Sequence, residues 1–98
     1  MNLFNITNME TKFNEQIKEY GLYATKDYAK GQIVYMLNGP EFDKPTKYTI
    51  HIGNNVHILD DYGKLMNHSF SPSTFIDGKN VVALIDIKVG DELSFNYN

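Results

Sequence analysis

The sequence predicts a mostly β domain built from short strands, and three observations predict it. Apolar and polar residues alternate in short runs, as half-buried strands require. Turn signals made of Gly, Asn and Asp separate these runs. The 98 residues also include seven Tyr and six Phe but no Cys, so aromatic packing must hold a small core that has no disulfide or thiolate-metal staple. A chain of this size buries only about 60–65% of the surface its unfolded form exposes, and its stability is correspondingly modest.

In chain order, residues 1–11 read as an N-terminal extension and 12–98 as a single domain. Residues 8–18 have weak periodicity and several Asn, which leaves a helix or an edge strand over Phe13 to Lys18 open. Residues 27–34 (Asp-Tyr-Ala-Lys-Gly-Gln-Ile-Val) are echoed by 86–93 (Asp-Ile-Lys-Val-Gly-Asp-Glu-Leu). Both read as turns in which Gly opens the next strand. Gly39-Pro40 and Pro45 mark a loop, 39–46, with little structure of its own. Tyr48 to Ile52 alternates, Gly53-Asn54-Asn55 turns the chain, and Val56 to Leu59 returns it as a hairpin. Asp61 to Met66 has room for one helical turn, with Asp60 or Asp61 at its start. Thr74 to Ile76, the Asp77-Gly78 turn and the apolar run Val81 to Ile87 form a second hairpin, with 81–85 expected to be the most buried strand.

Composition excludes several functions. Nine basic against twelve acidic residues give a net charge of −3, which argues against a general nucleic-acid binder and mildly favours a basic partner. No apolar run approaches the ~18 residues of a membrane span. The first residues lack the basic-then-apolar pattern of a signal peptide. The chain therefore reads as intracellular and soluble, and the sequon Asn5-Ile6-Thr7 reads as unused.

Few residues suggest chemistry. His51 and His57 flank the first hairpin and read as surface-facing, and His68 reads as structural. None has a carboxylate at metal-motif spacing, so no metal is expected. Asp60 and Asp61 are adjacent and point apart on a strand, which suits a cap or turn better than an acid–base pair. Asn67-His68-Ser69-Phe70-Ser71-Pro72 is polar between apolar neighbours, and its groups must bond a ligand or another backbone segment if buried. At the C-terminus, Leu93, Phe95 and Tyr97 share one face and place a phenol at the end of an aromatic stripe.

Gly21 to Gly31 (GLYATKDYAKG), Asn67 to Pro72 (NHSFSP) and Asp86 to Tyr97 (DIKVGDELSFNY), in that order, resemble the SET domain of protein-lysine methyltransferases. The similarity covers residues 12–98. It implies a β-clip-like fold of short sheets with a pseudoknot-like C-terminal segment, and S-adenosyl-L-methionine as cofactor. It also implies a protein or basic-peptide substrate whose lysine enters through a narrow channel. By the same similarity Gly21, Leu22 and Tyr23 offer backbone contacts to the cofactor. Asn67 bonds its amino-acid part, His68 holds its adenine through backbone, and Tyr97 aligns the lysine as the catalytic tyrosine. Phe95, Leu37 and Tyr48 fall at the substrate channel. Phe95 stands where the family carries Phe or Tyr, and Phe leaves room for products beyond monomethyl-lysine.

The departures from the family pattern carry expectations of their own. Glu19 stands where the first motif often has Gly, and Leu37 where many members place a channel Tyr. Phe70 replaces a common Cys as plain packing, and Ser73 replaces a common Asn. The sequence ends one residue after Tyr97, so the channel is expected to be open, completed by a second subunit as a homodimer, or closed by a partner. The reading from another class is a SET-fold protein that binds a peptide without turnover.

Overall fold

A computed structural model describes residues 9–16 and 18–96. In chain order these form β1 (Met9–Asn14), β2 (Glu19–Ala24), β3 (Ile33–Met36), β4 (Glu41–Phe42), β5 (Ile50–Gly53) and β6 (Val56–Ile58). A 3-10 turn (Gly63–Leu65) follows, then β7 (Asn67–His68), β8 (Thr74–Asp77), β9 (Asn80–Ala83) and β10 (Glu92–Phe95). The strands make three small sheets, ordered β1-β2-β10-β7, β3-β9-β8 and β4-β6-β5. The chain is thus mostly β, as its alternation predicts. Of residues 8–18, Met9–Asn14 form the edge strand β1, paired antiparallel with β2 from Met9 opposite Ala24 to Asn14 opposite Glu19. The strand thus lies earlier than the expected Phe13 to Lys18 and shares only Phe13 and Asn14 with it.

Both hairpin turns follow their residue types. Asn54 and Asn55 take positive φ values of 50° and 60°, the backbone a two-residue turn needs to match strand twist. Gly78 takes φ 59° between β8 and β9. The second hairpin is shorter than its apolar run. β9 stops at Ala83, and Leu84 and Ile85 are exposed. The Ala83 N–H donates to the Gln32 carbonyl and the Leu84 N–H to the Ser73 carbonyl, each one step beyond the paired residues of β3–β9 and β8–β9, and the apolar run outlasts both ladders.

The 39–46 loop is also more ordered than its prolines suggest. Glu41 and Phe42 form β4 and pair with Ile58 and His57. This addition makes β6 the central strand of its sheet. His57 is consequently buried, at 8% exposure, rather than surface-facing as the strand pattern suggests, while its partner His51 stays exposed.

Asp60 governs the next turn. Its side chain is 1% exposed. Its carboxylate accepts from the Tyr62 N–H at 2.9 Å, the Gly63 N–H at 2.6 Å, the Asn38 N–H at 2.8 Å and the Tyr35 hydroxyl at 2.8 Å. A carboxylate can be buried when donors replace the lost water on this scale. The role as a turn-forming residue thus falls to Asp60, while Asp61 stays exposed and pairs with Lys64.

The terminal strand is threaded between elements that precede it. β10 pairs antiparallel with β2 and parallel with β7. The polar stretch before β8 holds it there. The Ser69 N–H donates to the Phe95 carbonyl at 3.1 Å, and the Thr74 hydroxyl donates to the Ser94 carbonyl at 2.7 Å. Ser73 donates through its hydroxyl to the Glu92 carbonyl at 2.9 Å and accepts from the Ser94 N–H at 3.1 Å. The Ser73 N–H in turn donates to the Ser94 hydroxyl at 3.2 Å. Within residues 67–72, Ser69 therefore finds another backbone segment, one of the two partners open to that stretch, and Ser73 and Thr74 just beyond it do the same. Leu93 and Phe95 of this strand are buried in one core with Leu22, Leu37, Ile58, Met66, Val81 and Ile87. Each such side chain stabilises the fold by roughly 1.5–3 kcal/mol relative to exposure.

Candidate functional site

The ladder between β2 and β10 covers only Tyr23 opposite Glu92 and Leu22 opposite Leu93. From Ser94 onward β10 pairs with β7 instead, Ser94 opposite Asn67 and Phe95 opposite His68. The two strands part next to Gly21. Asn67 spans the opening. Its side-chain amide donates to the Glu92 carboxylate at 2.7 Å and, more weakly, to the Tyr20 carbonyl at 3.4 Å.

Gly21 is buried at this junction. A Cβ there would lie 2.9 Å from Glu92 Oε2 and 3.1 Å from the Tyr23 ring. Glycine is what lets the Glu92 and Tyr23 side chains come this close to the backbone. Tyr23 is itself covered by Lys12, whose ammonium lies 4.5 Å from the ring centre, a cation–π arrangement. Leu22 is buried in the core, so only its backbone is available at this edge. His68 is half-buried and meets Phe70 edge to face, with ring centres 4.7 Å apart. Phe70 is 80% exposed. It therefore does not take the packing role expected of it and covers the outer side of His68.

Near the end of β10 a cleft of about 740 Å³ opens, lined by Phe95 and Asn96. Tyr48, the stacked His51 and His57, Lys47, Lys64, Phe75 and Leu84 also line it. The two imidazole centres are 4.8 Å apart. Of the three expected channel residues, Tyr48 and Phe95 line the cleft. Leu37 does not. It lies 1% exposed in the core, where its side chain would meet any Cβ added at Gly63. Tyr97 lies outside the described residues, as does the sequon at Asn5.

Three motifs far apart in sequence thus meet around one strand. A family model for the SET domain matches residues 19–98. The chain belongs to the SET domain family. Its fold is similar to the crystal structure of a Plasmodium falciparum protein described as a "putative histone methyltransferase", with a TM-score of 0.74 over 94% of each chain at 19% identity. At that identity the likeness speaks for the fold alone. A search of curated proteins gives no match. SET membership gives the short sheets and the threaded C-terminal strand a single explanation.

Sequence reasoning missed Glu92, although it sits inside the third motif as the acidic residue before Leu93. It also missed Lys47 and Lys64, isolated lysines whose sequence context carries no signal. Among the described residues no group of three or more His, Cys, Asp or Glu is placed to hold a metal. No helix among them is long and apolar enough to cross a membrane.

Proposed function

We propose that the chain transfers a methyl group from S-adenosyl-L-methionine to the ε-amine of a lysine in a protein substrate. The observation that carries this reading is the meeting of Gly21, Asn67 and Glu92, one from each motif, where β2 and β10 part.

The residues there suit the cofactor's amino-acid end, which carries both an ammonium and a carboxylate. Such a group needs acceptors and donors side by side. The Glu92 carboxylate, the Asn67 amide and the backbone around Gly21 offer both kinds in one small area. Gly21, Leu22, Tyr23 and Asn67 would hold this end, and His68 the adenine through its backbone. When bound, the cofactor supplies an electrophilic methyl group on a sulfonium. The chain's share of the reaction is to bind, orient and exclude water. Lysine must arrive neutral, along the line of the breaking bond, and such orientation accounts for several kcal/mol of a barrier of this kind. The cleft suits its entry. Phe95 and Tyr48 offer aromatic walls, and no Asp or Glu lines it to hold the amine in its charged form. Tyr97, next after Asn96, is the residue assigned to align the amine. Phe95 leaves room for products beyond monomethyl-lysine, which mass spectra of exhaustively treated substrate would register as di- or trimethylation.

Calorimetric titration with S-adenosyl-L-methionine and S-adenosyl-L-homocysteine tests the reading. Saturable binding supports it, and absence of heat and of thermal stabilisation overturns it. With cofactor bound, Tyr97→Phe is expected to abolish transfer while leaving cofactor affinity within about twofold. Binding of cofactor and peptide without turnover would instead favour a non-catalytic peptide-binding module.

A further inference from the structure

The charge on the cleft is opposite to the charge on the chain. The net charge is −3, with twelve acidic residues. None of the twelve lines the cleft, whereas Lys47 and Lys64 do, together with His51 and His57. Screening at physiological ionic strength limits exposed charges to a reach of about 8 Å. A peptide in the cleft therefore responds to the two lining lysines more than to the net charge of the molecule.

We infer that the substrate is a lysine flanked by acidic residues, with an apolar residue close by, rather than the lysine of a basic tail. The inference rests on the proposed methyl transfer and narrows its substrate class. Lys64 is held at 3.7 Å by Asp61, in an exposed pair. Such pairs contribute little, so a peptide carboxylate can take Asp61's place. The Lys47 ammonium sits 5.5 Å from the Tyr48 ring centre, beside an exposed aromatic surface. Phe75 and Leu84, both partly exposed and lining the same cleft, offer contact to an apolar peptide side chain. A basic tail would bring further cations against two lysines with no Asp or Glu among the lining residues and only the exposed Asp61 beside Lys64 to receive them. This outweighs the lean toward a basic partner drawn from net charge, because complementarity acts at the contact surface.

The test uses fluorescent peptides of one sequence holding a single lysine, with Glu, Gln or Lys at the flanking positions. Binding is read by anisotropy and transfer by labelled cofactor. The expected order is Glu over Gln over Lys in both affinity and kcat/KM, about tenfold from first to last at low salt and shrinking in high salt. Lys47→Gln with Lys64→Gln should reduce the difference to within about twofold, with an unchanged melting temperature as the control for folding. Equal affinities, a preference for Lys flanks, or no binding of any peptide overturns the inference. Transfer without flank preference overturns it while leaving methyl transfer standing. Flank-selective binding without transfer supports it and overturns methyl transfer instead.

Discussion

Asp27 and Asp86 exchange equivalent hydrogen bonds across the two echoed segments. The Asp27 carboxylate accepts from the Val89 N–H, and the Asp86 carboxylate accepts from the Lys30 N–H, each at 2.9 Å. Each acceptor serves the residue three places after the other Asp. Between them Tyr28 and Ile87 exchange both backbone hydrogen bonds, at 2.8 Å each. Gly31 and Gly90 follow with near-identical φ values of 89° and 91°. The echo is therefore a local two-fold relation, in which the two segments serve as each other's partner. It predicts that Asp27→Ala and Asp86→Ala each cost about 1 kcal/mol, the usual worth of a side chain that satisfies a turn N–H. The two costs should agree within about 0.5 kcal/mol in urea titrations, and a marked asymmetry would show that only one segment depends on the exchange.

Asp60→Ala should be the most damaging of the polar substitutions discussed. It leaves the N–H groups of Asn38, Tyr62 and Gly63 and the hydroxyl of Tyr35 without their acceptor. Buried donors left unpaired cost about 1–3 kcal/mol each. A total loss of about 3 kcal/mol or more is expected, a large part of a small domain's stability. Chemical denaturation measures it.

Tyr35 makes stability fall in strong base. Burial, and then its hydrogen bond to Asp60, push its phenol well above the ordinary value near 10. A raised pKa means that the folded state keeps a proton that the unfolded state gives up. The stabilisation is complete below about pH 10 and is lost progressively above it. Tyr35→Phe should flatten that decline relative to the parent chain, although it is less stable at neutral pH. Melting temperatures from pH 8 to 11 would show parallel curves if Tyr35 plays no such part.

Gly21→Ala separates fold from site. The added Cβ meets the Glu92 carboxylate and the Tyr23 ring, both movable side-chain ends. Thermal stability should drop by no more than about 1 kcal/mol while affinity for S-adenosyl-L-homocysteine falls at least tenfold. Unchanged affinity would remove Gly21 from the binding edge.

Gly39→Ala is the contrasting case. A Cβ at Gly39 runs into the Leu59 carbonyl, which is backbone and cannot rotate away. A loss of more than about 2 kcal/mol is expected from the resulting backbone shift, read as a lowered urea midpoint.

Fold class, both hairpins and the SET motifs were legible in the sequence because they depend on local rules. Alternation sets the faces of a strand, and Asn54-Asn55 and Gly78 fix turns through φ angles that few other residues accept. Motif spacing carried the family. Tertiary structure alone decided which side chains are covered and which groups share a site. His57 is buried because β4, drawn from an apparent loop, pairs alongside it. Leu37 lies in the core because Gly63 leaves space for it, and Phe70 stands exposed because its neighbours turn toward the threaded strand. The lysine-lined cleft likewise exists only after folding brings Lys47 and Lys64 to its lining and keeps every Asp and Glu out of that lining, with Asp61 beside Lys64 at its edge. Net charge is a sum over the chain, whereas recognition depends on the few charges within a screening length of the ligand.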